Sequence, residues 1–369
     1  MTEKQFIIPF YVKAVLIFIG LLALIALLSI AKVVIVPLVF AIIFAIVLHP
    51  VVNFFVRMHI NRVIAIGLTL LLTFCVMAAF GALLFTQAAR FSEFWPVLVD
   101  KFYTILNQSI TWAAGYFDVN PAKIHDWFTK TKGDLTNISS AMIGKTIVSV
   151  GSGLVILFLL PVYIFMFLYY HPLLLEFIRK VFGKKNESQV SEVVRQTKTV
   201  IQRYLVGLII EVIIVSVLNA AGLLILGIDY AILLGIIGAL LNIIPYIGGV
   251  IAVALPMMVA VVTKSTAWFA IYVLAIHYFI QLIDNNFIVP KIVASKVKIN
   301  ALFSIVAVIA GNLLWGIPGM FLSIPLLAIV KLIFDHIEPL KPWGFLLGDT
   351  MPPLIKLSPV LKKRKPKLP

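Results

Sequence analysis

The sequence predicts an all-α polytopic membrane protein with about six transmembrane helices and two re-entrant broken-helix hairpins. The chain is 62% hydrophobic and only 12% charged, whereas soluble domains are about 45–50% apolar and about 25% charged. Several apolar runs reach the ~20 residues that cross a bilayer. Two further apolar segments contain proline and glycine, which break helices. Eight full spans are the alternative arrangement.

The predicted spans are long apolar segments with few charges. They are residues 14–31, 33–56, 63–87, 147–170, 205–227 and 266–283. The first run is longer than the ~7–15 residues of a signal-peptide core, and the second run follows it directly after Lys32. We therefore expect the first run to be retained as a helix. The single cysteine, Cys75, excludes an intrachain disulfide.

Positive charge predicts the orientation. Lysine and arginine gather in the 57–62 turn, in residues 171–204 and in the terminal "LKKRKPKLP". Because cytoplasmic loops carry an excess of basic residues, we expect both termini to lie in the cytoplasm, with the protein in the inner (plasma) membrane. The net charge of +15 is then a topology signal. No base-stacking or groove-reading element accompanies it, so no nucleic-acid partner is expected.

The segments between the spans divide the chain into five parts. They are three N-terminal helices (1–87), an external amphipathic segment (88–146), the fourth span with a cytoplasmic helix (147–204), a transport core (205–334) and an irregular, Pro-rich basic tail (335–369). Aromatic and aliphatic residues recur with helical period over 91–113. This external helix either lies on the membrane surface or packs against neighbouring spans or subunits.

The transport core contains the two broken segments. Residues 231–263 would extend roughly 50 Å as one helix at ~1.5 Å per residue, against a ~30 Å hydrocarbon core. "NIIPYIGGVIAVALP" at 242–256 and "NLLWGIPGMFLSIP" at 312–325 share an Asn, a Pro/Gly break and a second Pro. Each follows one span, which indicates an inverted repeat typical of transporters. The predicted gating residues are Pro245, Gly248, Gly249, Gly316, Pro318 and Gly319.

A few polar residues within these apolar segments are candidates for solute or ion binding. Glu211 lies inside a span, where a carboxylate is costly. It either titrates or binds a cation, or it pairs at the cytoplasmic interface with Arg203 or Lys198. The other candidates are His277 and Gln281, which share a helix face, Asp284 and Asn285 after that face, and Asn242 and Asn312 beside the breaks. The alternatives for these residues are helix capping and ordinary interior packing.

Motifs for catalysis and for bound cofactors are missing from the sequence. "MIGKT" at 142–146 ends like a phosphate-binding loop, but Ser139 replaces the required glycine. Neither His-Glu-x-x-His nor Gly-x-Ser-x-Gly occurs. We therefore predict no enzyme, no cofactor and no metal site, and transport that uses a gradient. A passive channel and a non-transporting scaffold are the alternatives of another class.

Three blocks carry a family resemblance: "IPYIGG" at 244–249, "DNNFIVPKIVASKVKIN" at 284–300 and "GNLLWGIPGMFLSIPLLAIVKLI" at 311–333. Together they resemble the autoinducer-2 exporter (AI-2E) family of permeases. The chain departs from the family at Gly249 and Ala301, where proline is common. The resemblance implies export of the quorum-sensing signal autoinducer-2 in some members and sodium or lithium/proton antiport in others. It also implies homo-oligomers, including pentamers.

Overall fold

The computed structural model describes residues 9–117, 159–183, 186–243, 248–264, 266–293 and 299–349. Within these ranges all regular structure is helical, apart from one isolated bridge between Ile299 and Gly348. The helices in chain order are α1 (Phe10–Ile30), α2 (Lys32–Arg57), α3 (Arg62–Phe117), α4 (Leu159–Tyr169), α5 (His171–Phe182), α6 (Glu187–Ile225), α7 (Ala231–Asn242), α8 (Gly248–Thr263), α9 (Trp268–Ile283), α10 (Ala301–Trp315), α11 (Ile317–His336) and α12 (Lys341–Leu347). The predicted all-α polytopic class is confirmed.

Six helical stretches in the described part of the chain are long and apolar enough to cross a membrane. They are Phe10–Ile30, Lys32–Arg57, Arg62–Thr111, Glu187–Ile225, Trp268–Ile292 and Ile317–His336. The first five cover nearly all of the predicted spans 14–31, 33–56, 63–87, 205–227 and 266–283. Of the remaining predicted span, 147–170, only the second half lies within the described residues. The sixth stretch is α11, which was predicted to be half of the second hairpin but is long enough to cross the membrane by itself.

Helix α3 runs without interruption for 56 residues, through the predicted boundary between span and external segment. Its outer part packs against the rest of the protein, because Leu98 is fully buried in a cluster with Leu234, Val259 and Val273. Of the two alternatives for the external helix, packing against other helices is therefore the one observed here. The residues that follow, 118–158, are outside the described ranges.

Both broken segments form pairs of helices that pack against each other. Helices α7, α8 and α10 have 12, 16 and 15 residues, each too short for a ~30 Å core at ~1.5 Å per residue. Helix α11, with 20 residues, is long enough. Gly316 turns α10 into α11 with φ +68°, a left-handed conformation that favours glycine. The break at Gly316 therefore acts as a turn between α10 and α11.

Two segments differ from the sequence prediction. The sixth span was expected to end near Ile283, but the helix continues as a wider π-helical stretch, Asp284–Val293. Pro290 lies inside this stretch, where its missing N–H and its ring interrupt a regular α-helical ladder. The tail was expected to be irregular, but a 3₁₀ turn (Glu338–Leu340) and α12 follow α11. The end of α12 lies against the start of α10, where the Asn300 N–H donates to the Leu347 carbonyl at 2.9 Å.

Candidate transport site at the broken helices

The first element of the candidate site is Glu211, on the buried face of α6. It is 6% exposed and lies between the apolar clusters that contain Leu208 and Val215. The alternative pairing at the interface is not observed, since Lys198 contacts His49 and Arg203 is exposed. Glu211 Oε2 is buried and has no hydrogen-bond partner among the described residues. Glu211 is therefore a carboxylate in the protein interior with an uncompensated oxygen.

The second element is Asp284, the first residue of the π-helical stretch and only 1% exposed. Asn242, at the end of α7, donates from Nδ2 to Asp284 Oδ2 at 2.8 Å. The other carboxylate oxygen, Oδ1, has no partner within the described ranges. Helix α6, which carries Glu211, packs against the π-helical stretch that begins at Asp284. The fold thus joins α6, α7 and the π-helical stretch in one buried acidic group, which we call the carboxylate pair.

Beside the carboxylate pair, α9 presents polar groups to the start of α8. The His277 ring lies close to the backbone of Gly249. Gln281 Oε1 lies 3.5 Å from the position that a Cβ on Gly249 would occupy, and Asn242 Oδ1 lies 3.9 Å from it. Gln281 Nε2 also donates to Asn285 Oδ1 at 3.4 Å. Five of the predicted binding residues therefore converge where α7, α8 and α9 meet.

Asn219 is a polar residue of this region that the sequence reasoning missed. It is 6% exposed. Its Nδ2 lies 3.4 Å from the position that a Cβ on Gly238 would occupy, so α6 and α7 approach closely here. Asn219 and His277 line a cavity of about 10 Å³, which is the space for about one water molecule. The sequence contains a pattern that predicts its position. Glu211, Val215 and Asn219 are spaced four residues apart and therefore share one helix face.

The second hairpin contributes less to this group. Asn312 is exposed on α10, and Gly316 and Pro318 form the turn at the hairpin tip. Gly319 packs against the backbone of Gly311 where α10 crosses α11. These residues do not join the buried carboxylate pair.

In the first hairpin, Gly248 begins α8, and a Cβ there would overlap the Leu241 carbonyl oxygen. Close approach of the two helix ends therefore requires glycine at this position. Pro245 lies outside the described ranges.

The carboxylate pair has the chemistry to bind a proton or a small cation. Two negative charges repel strongly in a low-dielectric interior, and the unpartnered oxygens of Glu211 and Asp284 can accept bonds. Across the described ranges, no three His, Cys, Asp or Glu side chains come together as a metal-binding group.

Comparison of the sequence with known proteins assigns the chain to a family. The model of the "AI-2E family transporter" matches residues 14–338. The "AI-2 transport protein TqsA" of Escherichia coli is 26% identical over 328 residues, which cover 86% of this chain and 90% of that protein. The "Putative transport protein YhhT" of E. coli is 24% identical and covers 86% and 89%.

A third relative matches over a shorter region. The "Putative transport protein YrrI" of Bacillus subtilis is 32% identical over 134 residues, which cover 36% of this chain and 37% of that protein. The family match, residues 14–338, includes both hairpins. This chain is an integral membrane protein that belongs to the AI-2E family of transporters.

Proposed function

We propose that this protein is a secondary transporter that exports a small polar solute such as autoinducer-2, coupled to protons or Na⁺ at the carboxylate pair. The observation that carries the proposal is the pair itself: Glu211 and Asp284 are buried together, each with an oxygen that has no partner in the described part of the chain. The cargo is proposed from the similarity to TqsA, whose name states AI-2 transport.

Coupling follows from the electrostatics of the carboxylate pair. A bound proton or Na⁺ removes the repulsion between Glu211 and Asp284, and Asn242 holds Asp284 in position through its hydrogen bond. Because both carboxylates are buried, the site must open to each side in turn. The first broken segment is the natural moving part, since its short helices α7 and α8 meet beside the site. His277 and Gln281 offer hydrogen bonds to the hydroxyl groups of a polar solute.

The test is flux into proteoliposomes under an imposed pH difference, with autoinducer-2 and ²²Na⁺ measured in parallel. We expect gradient-driven uptake by the wild-type protein and loss of its dependence on the gradient in Glu211→Gln. Glu192→Gln is the matched control, because Glu192 lies on the same helix but pairs with Arg195 at the protein surface. Flux and pH dependence that are unchanged in Glu211→Gln would exclude the coupling role.

A second candidate, Na⁺(Li⁺)/H⁺ antiport, is favoured by the size of the space beside the site. The cavity lined by Asn219 and His277 has a volume of about 10 Å³, which suits an ion or one water rather than a sugar-like solute. In the same assay, antiport predicts ²²Na⁺ movement against protons with no uptake of autoinducer-2. The two functions are therefore separated by which substrate moves.

A further inference from the structure

A second group of polar residues lies away from the carboxylate pair, where α2, α3, α5 and α6 come together. It consists of His49, Arg62, His171 and Lys198, which we call the basic cluster. The rings of His49 and His171 have centroids 4.8 Å apart, and Lys198 Nζ lies 3.2 Å from His49 Nδ1. Arg62 donates from Nη2 to the Leu168 carbonyl at 2.8 Å. All four side chains are half-buried.

The basic cluster has no acidic counterpart in the described residues. The nearby carboxylates are used elsewhere: Glu176 pairs with Arg179 and Lys180, and Glu192 pairs with Arg195. None of the ion pairs within the described ranges includes a member of the cluster. Half-buried cations without a counter-charge are unfavourable, so the cluster is suited to an anion from outside the chain.

Cavities adjoin the basic cluster, and their walls are mainly apolar. One of about 320 Å³ is bordered by His171, Lys198 and two arginines, and also by Leu175, Ile178, Val190 and Val194. Another of about 90 Å³ extends from His49 along Ile42, Ile46 and Phe167. The space therefore offers cations at one end and aliphatic surface at the other. A free phosphate would use only the first part of it.

The position of α5 indicates that this space lies at the membrane–water boundary. Helix α5 is bent by 64° from α4 at Tyr170. One of its faces exposes Leu173, Phe177 and Val181, while Arg179 and Lys180 follow in its last turn. An amphipathic helix that leaves an apolar helix at such an angle lies in the headgroup region. The basic cluster beside its first residue is then at the level of lipid phosphates.

We propose that the basic cluster binds the phosphate of an anionic phospholipid, whose acyl chain follows the apolar walls of the adjoining cavities. Lys198 and Arg62 supply positive charge, and the two histidines supply N–H donors. Basic pockets between helices recognise anionic headgroups in the same way. This site is separate from the proposed transport function and does not depend on it.

The test uses the delipidated full-length protein in detergent, with bound lipids counted by native mass spectrometry. Phosphatidylglycerol and phosphatidylcholine with identical acyl chains are offered together. We expect a clear preference for phosphatidylglycerol in the wild type, and a loss of about five-fold in its affinity in Lys198→Gln, as removal of one basic residue near a membrane surface implies. Lys198→Arg should retain binding. Arg203→Gln, an exposed basic residue on the same helix, should remain within two-fold.

Three results would overturn the proposal. The first is equal binding of the two lipids by the wild type, a measurement that needs no variant and so is independent of folding. The second is an equal loss in Lys198→Gln and Arg203→Gln, which would indicate diffuse surface charge. The third is displacement of phosphatidylglycerol by millimolar inorganic phosphate, which would assign the cluster to a soluble anion. Retention of the lipid in millimolar phosphate supports the lipid as the ligand.

Discussion

Replacement of Gly319 by alanine should destabilise the second hairpin, because α10 and α11 cross there with their backbones in contact. A Cβ on Gly319 would overlap the Gly311 carbonyl oxygen and lie 3.0 Å from Trp315 Cβ. A Cβ on Gly311 would in turn overlap the Gly319 carbonyl oxygen and lie 3.3 Å from Ser323 Cβ. The obstacle is backbone, which cannot rotate away as a side chain can. The two helices must therefore separate.

The expected cost can be estimated from two opposing terms. Forcing an extra methyl group into a packed interior costs about 1–3 kcal/mol. Replacing glycine by alanine inside a helix returns about 0.5–1 kcal/mol through backbone entropy. We therefore expect Gly319→Ala to lower the free energy of unfolding by about 1–2 kcal/mol. The double variant with Gly311→Ala should lose less than the sum of the two, since the second methyl group enters a crossing that has already opened.

The assay is graded unfolding of the purified protein from mild detergent into dodecyl sulfate, followed by circular dichroism. Gly67→Ala is the matched control, because Gly67 lies inside α3 and a Cβ there meets nothing within 4 Å. The control should be unchanged or slightly stabilised. Equal stability of Gly319→Ala and Gly67→Ala would refute the close backbone crossing.

Two further substitutions address the polar site and the packing around it. Asn242→Ala removes the charge-assisted hydrogen bond to Asp284, worth about 1.5–3 kcal/mol, so the apparent Na⁺ affinity in the flux assay should change by about ten-fold or more. Asn286→Ala, which loses only a bond to a backbone carbonyl, should stay within two-fold, and equal effects would contradict the assignment. Gly222→Ala places a Cβ 2.5 Å from Ile276 Cγ2, a side-chain obstacle, so it should destabilise less than Gly319→Ala in the unfolding assay. Ile276→Ala alone should also destabilise, because it leaves a cavity, but adding Gly222→Ala to it should cost little more. An undiminished cost of Gly222→Ala in that background would show that the obstacle lies elsewhere.

Much of the fold could be predicted because the bilayer imposes simple rules on a sequence. Runs of about 20 apolar residues must form helices, since backbone groups have no other partners in lipid. The positions of α1, α2 and α6 follow directly from this rule. The continuation of α3 to Phe117 and the π-helical stretch after α9 were not predicted. Both depend on contacts with other helices, which hydrophobicity along one segment does not record.

The candidate site was predicted residue by residue but not as a group. Glu211 and Asp284 are conspicuous in apolar segments because charge is costly there. Their proximity was not predicted, because 73 positions separate them in the chain. Asn219 was overlooked although it shares the face of Glu211, and Asn312 was included although it is exposed on α10. The local pattern that marks a polar residue near a helix break does not reveal which way that residue faces.

The sequence by itself determined that this is a membrane protein, where most of its spans lie, and where the two broken segments interrupt the helices. These properties depend on local composition. Only the tertiary structure decided that the end of α7, the middle of α6 and the start of the π-helical stretch share one buried acidic group. The physical reason is that helix contacts in lipid depend on close steric fit, as between Gly311 and Gly319. Such fit is a property of pairs of surfaces and cannot be read from either one alone.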